Sequence, residues 1–183
     1  MPEDQAAWLD QLRAGDESAV RDMIRTYGGP VTRFLAGMVG NSADAEDIAQ
    51  ETFIRFVQHA KEFRGDSSLK TYLFRIAHNL ALNEVTSAAR RHEVQPDEGS
   101  DRPSEAPSPS QAVADGEAAR GLRRALAQLP PQQRAVVILR TWQDLSFKEI
   151  ASTLSLAEGT AKAHYFFALR NMRRMMGGSH DAR

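Results

Sequence analysis

The 183-residue sequence contains no cysteine, and this absence excludes disulfides, thiolate zinc sites and a cysteine nucleophile. It also lacks any apolar run near the roughly 18 residues that would span a bilayer. The N-terminal segment MPEDQAAWLDQLRAGDE is acidic and has no secretory apolar core. A hydrophobic content of 42% nevertheless supports a real core. We therefore expect a soluble cytoplasmic protein with no membrane insertion, folded as one compact domain or two small ones.

Signatures of enzymes are also missing. The chain has no phosphate-binding glycine-rich loop, no HExxH zinc motif and no elbow serine. Its five histidines are scattered, at His59, His78, His92, His164 and His180. We therefore expect no catalytic residues, no metal, no cofactor and no small-molecule substrate, and a binding function is favoured over an enzymatic one.

Charge is strongly segregated along the chain, although the net charge is only −1. Residues 1–60 carry a net −5 and residues 61–91 a net +3, whereas residues 92–119 carry −6 and residues 120–183 carry +7. Alternating blocks of this kind predict two basic surfaces for a polyanion, with acidic surfaces serving another purpose.

The first half of the chain has apolar residues at helical spacing almost throughout. Asp16 is the predicted N-cap of one helix. The sequence GGP at residues 28–30 is expected to end this helix, and another helix should follow it. Asn41 or Ser42 should cap a further helix, and a long helix should run from Leu69 to about Arg91. The expected buried face of the helix after Asn41 consists of Ala45, Ile48, Ala49, Phe53, Phe56 and Val57.

A change in composition divides the chain. The segment EVQPDEGSDRPSEAPSPSQAVADGE has four prolines and almost no large apolar residue, so it cannot bury enough surface to offset the entropy of ordering. We predict a flexible acidic linker at residues 92–116, between a domain at 1–91 and a domain at 117–178, with a tail at 179–183. The predicted fold class is all-α, with two small helical domains.

The C-terminal half has the cap and turn signals of a helix-turn-helix, in the stretch LSFKEIASTLSLAEGTAKAHYFFALRNMRRM. Ser146 should cap a short helix, SLAEG should form the turn, and Thr160 should begin the second helix. The preceding AVVIL run at residues 135–139 is compatible with a buried strand. Because no other segment is predicted to be a strand that could pair with it, we predict a buried helix.

The second helix of this motif should present basic residues to solvent. We expect Lys162, His164 and Arg170 on faces away from Ala161, Tyr165 and Leu169, and one of Phe166 and Phe167 in the core. In such motifs the second helix enters the major groove, while flanking Lys and Arg neutralise phosphates. The plainer alternative is a helical hairpin with a solvated basic face.

The stretch DAEDIAQETF places four carboxylates within eight residues. On a helix, Asp44, Asp47 and Glu51 share one face. Side chains of a single helix splay outward and cannot wrap an ion that needs six or more oxygens, so a metal site is disfavoured. The helix dipole and a pair between Glu51 and Arg55 explain part of this charge. They do not explain Gln50 and Glu51 beside an aromatic residue, which favours a docking surface.

Two longer stretches resemble one known family. DAEDIAQETFIRF, followed by FRGDSSLKTYLFRIAHNLALNE, resembles the second conserved region of sigma-70-type RNA polymerase sigma factors. LAQLPPQQRAVVILRTWQDLSFKEIASTLSLAEGTAKAHYFFALR is similar to their fourth region. The two-domain layout points to the extracytoplasmic-function (ECF) group. The resemblance covers roughly residues 15–91 and 117–176.

The resemblance implies a transcription initiation factor that binds core RNA polymerase, directs it to promoters and assists promoter melting. An anti-sigma protein is the usual further partner in this group. The implied contacts with the clamp helices of the largest polymerase subunit are Asp44, Asp47, Gln50, Glu51 and Phe53. The implied contacts with a single-stranded −10 element are Arg64, Lys70, Tyr72, Arg75, Asn79, Arg90 and Arg91. The implied contacts with a double-stranded −35 element are Ser146, Lys148, Thr160, Lys162, His164, Phe166 and Arg170.

The chain departs from the family at several of these positions. Relatives often carry tryptophan at the position of Tyr72, and arginines where His164, Phe167 and Leu169 stand here. Fewer guanidinium contacts predict an unusual −35 preference, with Phe166 or Phe167 against thymine methyl groups. The alternative function left open by the residues is a stand-alone helix-turn-helix regulator, which would bind a palindrome as a dimer.

Overall fold

The computed structural model describes residues 5–94 and 116–177, and within these two ranges all regular secondary structure is helical. The predicted all-α fold is confirmed. The helices are α1 (Gln5–Ala14), α2 (Glu17–Val39), α3 (Ser42–His59), a 3₁₀ turn (Ala60–Glu62), α4 (Leu69–Val94), α5 (Glu117–Ala127), α6 (Pro131–Trp142), α7 (Phe147–Leu154) and α8 (Glu158–Gly177). Most of the predicted linker and the predicted tail at 179–183 lie outside the described residues. Residues 92–94 belong to the last turn of α4.

Helix α2 is continuous, so the predicted break at residues 28–30 is wrong. Pro30 lies inside the helix and lacks an N–H, which deprives the carbonyl of Thr26 of its helical partner at a cost of about 3 kcal/mol. Tyr27 and Val31, on either side of the break in the hydrogen-bond ladder, are both buried. Their burial, shared with the rest of the long apolar face of α2, holds the helix together across the proline.

Helices α1 to α4 form the N-terminal bundle, in which α2, α3 and α4 pack against one another. Phe34 of α2 and Phe74 of α4 meet edge to face in its centre, with ring centroids 5.4 Å apart. The predicted caps are confirmed at Asp16, which accepts from two backbone amides of α2, and at Asn41, which accepts from the amide of Asp44. These caps set the first turns of α2 and α3.

The buried face of α3 differs in three places from the predicted one, and at the first of them Ile48 is only partly buried. Val57 is 40% exposed rather than buried, and Thr52 is fully buried with its hydroxyl donating to the carbonyl of Ile48. A threonine whose hydroxyl bonds the preceding turn loses most of its polarity, so it can occupy a core position. The core stripe of α3 therefore runs through Thr52 and leaves Val57 on the surface.

Helices α5 to α8 form the C-terminal bundle. The AVVIL run lies within α6, which confirms the predicted buried helix. Ser146 caps α7 in a complete capping box with Glu149, and Ile150, Ala151 and Leu154 face the core as expected. Small Ala151 allows α7 and α8 to approach closely.

The two bundles contact each other. Helix α2 packs against α6, and α4 packs against α7. The first contact is close, because a Cβ added at Gly37 of α2 would lie 2.8 Å from the Cδ1 atom of Ile138 on α6.

Candidate protein and nucleic-acid interfaces

The acidic residues of α3 form an exposed ridge, as predicted. The acidic ridge consists of Asp44, Asp47, Gln50 and Glu51, of which the first three are exposed and Glu51 is half-buried. The Glu51 carboxylate accepts from the Arg55 guanidinium at 2.6 Å, which confirms the predicted pair one turn apart. The ridge keeps a net negative charge after this pairing, because α3 contains no other lysine or arginine.

Phe53 is only 7% exposed and lies below the surface beside the acidic ridge. It lines an open apolar groove of about 660 Å³ between α2 and α3. Ile24, Ile54 and Val57 in this groove are 40–49% exposed. The apolar groove is lined by Val20, Ile24, Gly28, Thr32, Glu46, Ala49, Gln50, Phe53, Ile54, Val57 and Gln58.

The apolar groove was missed by sequence reasoning because its walls come from two helices. Ile24 and Ile54 belong to separate stripes, and each by itself is an ordinary residue at the border of a buried face. Gln50 belongs to both the acidic ridge and the groove. The two features therefore form one continuous surface with an apolar part and an anionic part, which fits a protein partner with apolar and cationic side chains.

A smaller pocket of about 240 Å³ opens between α3 and α4. It brings together two predicted −10 contacts, Tyr72 and Asn79, with Arg55, His59 and Asn83, which sequence reasoning did not assign to this site. Ile76 and Leu80 complete its walls. The pocket offers a cation, an imidazole, two side-chain amides and an aromatic ring within one small space.

Tyr72 has two environments. Its half-buried ring packs against Phe63 and Phe56 of the core, with centroids 4.9 and 6.0 Å away, and the guanidinium of Arg75 lies 5.7 Å from its centre. It also lines the pocket between α3 and α4. Tyr72 thus serves as a core residue and as a pocket wall at once.

The remaining predicted −10 residues do not converge on this pocket. Arg64 and Arg90 are exposed, and they lie near opposite ends of the segment 64–91 that holds the predicted −10 contacts. The Lys70 ammonium donates to the backbone carbonyl of Gln143 in the C-terminal bundle, and the buried Nε of Arg75 has no partner among the described residues. Arg91 lies on α4, and its side chain falls outside the described part of the chain.

The predicted −35 contact Ser146 lies at the start of α7, and its hydroxyl is already hydrogen-bonded within the cap of that helix. Its hydroxyl donates to the Glu149 carboxylate at 2.7 Å and accepts from the Glu149 amide at 3.2 Å. The hydrogen bond from this hydroxyl holds the pKa of Glu149 below its ordinary value. Lys148 is exposed beside this cap.

Helix α8 begins at Glu158, two residues before the predicted start at Thr160. Thr160, Lys162 and Arg170 are exposed, as expected, whereas His164 is half-buried. Lys162 pairs with Glu158 at 2.7 Å, and the hydrogen bond from its ammonium lowers the pKa of that carboxyl.

The two phenylalanines of α8 both face solvent. Phe166 is 67% and Phe167 is 51% exposed, so the expectation that one of them packs in the core is wrong. Leu169 is also exposed, and the buried positions are Ala161, Ala168 and Met172. The alanines let α8 approach its neighbours closely, which leaves no space for a larger ring on that face. The guanidinium of Arg170 lies 5.7 Å from the centre of the Phe167 ring.

The described residues, 5–94 and 116–177, contain no group of three or more His, Asp or Glu side chains that could hold a metal ion. No helix in the same ranges is long and apolar enough to cross a membrane.

Comparison with known families matches both parts of the chain. Residues 23–91 match the family Sigma-70 region 2, and residues 119–172 match Sigma-70, region 4. The first match contains the acidic ridge and the pocket between α3 and α4, and the second contains the helix-turn-helix.

Individual relatives extend the match over most of the chain. The ECF RNA polymerase sigma factor SigW of Bacillus subtilis is 30% identical over 84% of this chain and 87% of its own length. SigL of Mycobacterium tuberculosis is 31% identical over 87% of this chain and 90% of its own. SigE of Mycolicibacterium smegmatis is 35% identical over 81% of this chain, which spans 59% of the SigE length.

Solved structures show the same fold. The sigma factor RpoE of Bartonella quintana, crystallised with the anti-sigma factor NepR, superposes with a TM-score of 0.71 at 19% identity, over 89% of this chain and 98% of RpoE. CnrH, solved in complex with the cytosolic domain of CnrY, superposes with a TM-score of 0.70 at 18% identity, over 94% of this chain and 96% of CnrH.

These matches define the class of protein as a sigma factor. The chain belongs to the sigma-70 family of RNA polymerase sigma factors, within its ECF group, as the resemblance predicted. It is a promoter-directing transcription initiation factor, and the alternative of a stand-alone helix-turn-helix regulator is not favoured.

Proposed function

We propose that the acidic ridge and the apolar groove together bind core RNA polymerase, while the pocket between α3 and α4 and the exposed face of α8 bind the −10 and −35 elements of a promoter. The observation that supports this assignment best is the continuity of ridge and groove on the region 2 part of the chain. A purely solvated acidic helix face would have no reason to border three large exposed aliphatic residues.

The chemistry of the docking surface suggests how binding would divide between its parts. Carboxylates at the rim attract a basic partner and fix its orientation, whereas burial of Ile24, Ile54 and Val57 supplies most of the affinity. The predicted partner is the pair of clamp helices on the largest polymerase subunit. Phe53, which the sequence placed in direct contact, would act mainly as the floor of the groove, since it is 7% exposed.

For the −10 element, the pocket offers what an unstacked base requires. Tyr72 presents a ring for stacking, Asn79 and Asn83 present amides for base-edge hydrogen bonds, and Arg55 and His59 lie where a phosphate or a base oxygen would come. The binding of an extruded base offsets the few kcal/mol that unstacking costs. Binding at this pocket would therefore favour separation of the two DNA strands. Arg64, Arg90 and Arg91 are proposed to follow the strand outside the pocket.

For the −35 element, α8 would enter the major groove with Lys162 and Arg170 close to phosphates. Phe166 is the most exposed aromatic on that face, and contact with a thymine methyl group would remove its apolar ring from water. Ser146 is proposed to act through its cap, which presents the N-terminus of α7 to a phosphate, because its hydroxyl is already engaged by Glu149.

The domain boundaries belong to the same proposal. A core-binding and −10 domain at 1–91, a linker at 92–116, a −35 domain at 117–178 and a tail at 179–183 would let one chain contact two separated elements. Residues 95–115, between the end of α4 and Gly116, would reach at most about 75 Å when extended. An anti-sigma protein is a proposed further partner, in line with the anti-sigma factor NepR bound to RpoE. We propose that the protein is not an enzyme and acts in the cytoplasm.

Run-off transcription with core polymerase on a library of promoter fragments tests this function. We expect discrete transcripts only when both core polymerase and this protein are present, and their start sites should share two upstream elements. A protein that binds DNA by itself as a dimer and leaves the transcript pattern of core polymerase unchanged would contradict the proposal. In that case the stand-alone regulator would be the better description.

A further inference from the structure

Helix α8 is longer than the DNA groove that it would enter. Its 20 residues, Glu158–Gly177, span about 30 Å at the usual helical rise. The major groove of B-form DNA is only about 12 Å wide. In helix-turn-helix proteins the N-terminal residues of the second helix contact the base edges. The second half of α8 therefore extends past the groove, to where the sugar–phosphate backbone of the neighbouring DNA lies.

The exposed face of α8 continues into this second half. Four exposed residues at intervals of four, four and three positions share one side of the helix: Lys162, Phe166, Arg170 and Arg173. Arg174 is exposed next to them. Arg173 lies seven residues beyond Phe166, which is about 10 Å along the helix axis. If Phe166 contacts a base, Arg173 and Arg174 therefore come to phosphates rather than to bases.

Helix α5 places two further arginines beside the second half of α8. The two helices pack against each other. The side-chain amide of Asn171 lies 3.5 Å from the side-chain oxygen of Gln133 in the first turn of α6, so the connection from α5 to α6 is next to the second half of α8. The apolar side of α5 faces the core. Arg120 and Arg124 are exposed on its other side, one turn apart.

These four arginines form one cationic surface, which we call the distal basic surface: Arg120 and Arg124 of α5, and Arg173 and Arg174 of α8. Neither helix contains a carboxylate after its first residue. None of the four guanidinium groups forms an ion pair with another described residue. The surface therefore keeps its positive charge.

Helix stability explains only part of this charge. Arg124 and Arg174 lie in the last turns of their helices, where a cation complements the negative end of the helix dipole. Arg120 lies near the start of α5, where the dipole disfavours a cation. A polyanionic partner accounts for the arginines at both ends of α5.

The chemistry of the surface favours a phosphate backbone over an acidic protein. Protein interfaces are centred on buried apolar or aromatic side chains. The described part of α5 exposes no large apolar residue. Phosphates, in contrast, require only cations that can replace their counterions. The distal basic surface is also continuous with the side of α8 that carries Lys162 and Phe166.

We propose that the distal basic surface binds the phosphate backbone of duplex DNA next to the −35 element. The element fixes where the protein binds, and the distal basic surface adds affinity without sequence preference. This inference rests on the proposed contact of α8 with a −35 duplex.

The length of the DNA tests this inference. The first probe is a duplex of about one helical turn that carries the −35 element recovered from the run-off library. The second and third probes extend it by about 10 base pairs of arbitrary sequence, on the upstream or on the downstream side. Fluorescence anisotropy measures their binding to the full-length protein between about 50 and 200 mM salt.

We expect the extension on one side to raise the affinity about tenfold at the lowest salt. The slope of log affinity against log salt should become steeper by about two units, because each neutralised phosphate releases its counterion. The extension on the other side should give a much smaller gain, and it controls for the weaker field at the ends of a short duplex.

Two double variants locate the source of the gain. Arg173→Gln combined with Arg174→Gln changes α8, and Arg120→Gln combined with Arg124→Gln changes α5. Each should remove most of the gain from the extension, lower the salt slope on the long duplex, and leave the affinity for the short duplex within about twofold of the parent. Circular dichroism checks that both variants are folded.

The matched control removes the same charge from the other bundle. Arg21→Gln combined with Arg25→Gln changes two exposed arginines of α2 and should leave the gain intact. Equal losses in this control would assign the gain to net charge and overturn the proposal. A gain that both distal variants retain would also overturn it, and an acidic protein would then be the better partner. A gain that only the α8 variant lowers would overturn the part assigned to α5.

The same measurements separate this inference from the proposed function. Binding of the short −35 duplex without any gain from extension would overturn the backbone contact and leave the proposed function intact. A gain that depends on the distal basic surface, but is the same when the −35 element is scrambled, would support the backbone contact and contradict promoter reading by α8. If no duplex binds, with or without core polymerase, both proposals fail.

Discussion

The two bundles of this sigma factor carry their candidate binding residues in different ways. Helix α3 holds four carboxylates and one arginine, whereas α8 holds one carboxylate and four lysines or arginines, so the two helices present opposite charge. In the N-terminal bundle the aromatic candidates are part of the core: Phe53 is buried and Tyr72 packs on two core rings. In the C-terminal bundle Phe166 and Phe167 project into solvent.

This contrast indicates where function and folding are separable. A residue that packs and binds at once cannot be removed without loosening its neighbours, whereas an exposed aromatic ring contributes little to stability. Substitution of a binding residue in the N-terminal bundle should therefore lower both binding and stability. Substitution of an exposed binding residue of α8 should lower binding alone.

The largest expected effect is at Tyr72. Tyr72→Ala removes a half-buried ring from contact with Phe56 and Phe63, and we expect the free energy of unfolding to fall by about 2–3 kcal/mol. Open-complex formation, measured by permanganate reactivity of promoter thymines, should fall as well. Tyr72→Phe keeps the packing and is the control. Unchanged stability of Tyr72→Ala would show that the ring is a pocket residue alone.

The acidic ridge should behave in the opposite way. Asp47→Lys combined with Glu51→Lys reverses charge at the rim without touching the core, so we expect the affinity for core polymerase to fall about 10- to 100-fold with little change in thermal stability. Fluorescence titration of labelled protein with core enzyme measures this loss. Asp22→Lys combined with Glu62→Lys makes the same change in net charge elsewhere on the bundle. Equal losses in both double variants would mean that only net charge matters.

At α8 the comparison is between neighbouring aromatics. Phe166→Ala should lower the affinity for a −35 duplex about tenfold and leave the melting temperature unchanged, because the ring is 67% exposed. Tyr165→Ala should instead lower the melting temperature, since Tyr165 packs against Phe147 with ring centroids 5.6 Å apart. Replacing each thymine of the element by deoxyuridine removes the methyl group. Phe166→Ala should abolish any discrimination between the two bases.

A pH effect just below pH 6.5 should arise in the N-terminal bundle. Burial lowers the pKa of His78 below its ordinary 6.5. Just below pH 6.5 the imidazole therefore binds a proton in the unfolded chain but stays neutral in the folded chain. Stability should be fully retained above pH 6.5 and should decline as the pH falls below it. Urea unfolding at several pH values measures this, and His78→Leu should flatten the slope. A slope that is unaffected by the substitution would assign it to other groups.

The smallest effect is expected at Lys162. Lys162→Ala removes one candidate phosphate contact and should reduce the slope of log affinity against log salt by about one unit, equally for all −35 sequences. The pair with Glu158 is solvent-exposed and should contribute little, so stability should not change. Glu158→Gln leaves the lysine in place and is the control. An unaltered salt slope would remove Lys162 from the interface.

Part of this organisation could be predicted from local sequence. The caps at Asp16, Asn41 and Ser146 were predictable because a short polar side chain satisfies amides two or three residues away, whatever the rest of the chain does. The pair of Glu51 with Arg55 was predictable because it depends only on helical spacing. The exposed acidic ridge followed from the same periodicity.

The wrong predictions share one cause. The break expected at Pro30 ignored the burial of α2 on both sides, which outweighs the loss of a single helical hydrogen bond. The core position expected for Phe166 or Phe167 ignored how closely Ala161 and Ala168 draw α8 to its neighbours. In both cases the outcome depended on the shape of a neighbouring helix, which local pattern does not contain.

By itself the sequence determined the helical class, the helix caps, the family and the alternation of acidic and basic segments, since each depends on residues near one another in the chain. The tertiary structure alone decided which side chains share the pocket between α3 and α4, that the apolar groove borders the acidic ridge, and that the bundles touch where Gly37 meets Ile138. The physical reason is that these features join atoms from separate helices, and their distances follow from packing of the whole chain rather than from spacing along it.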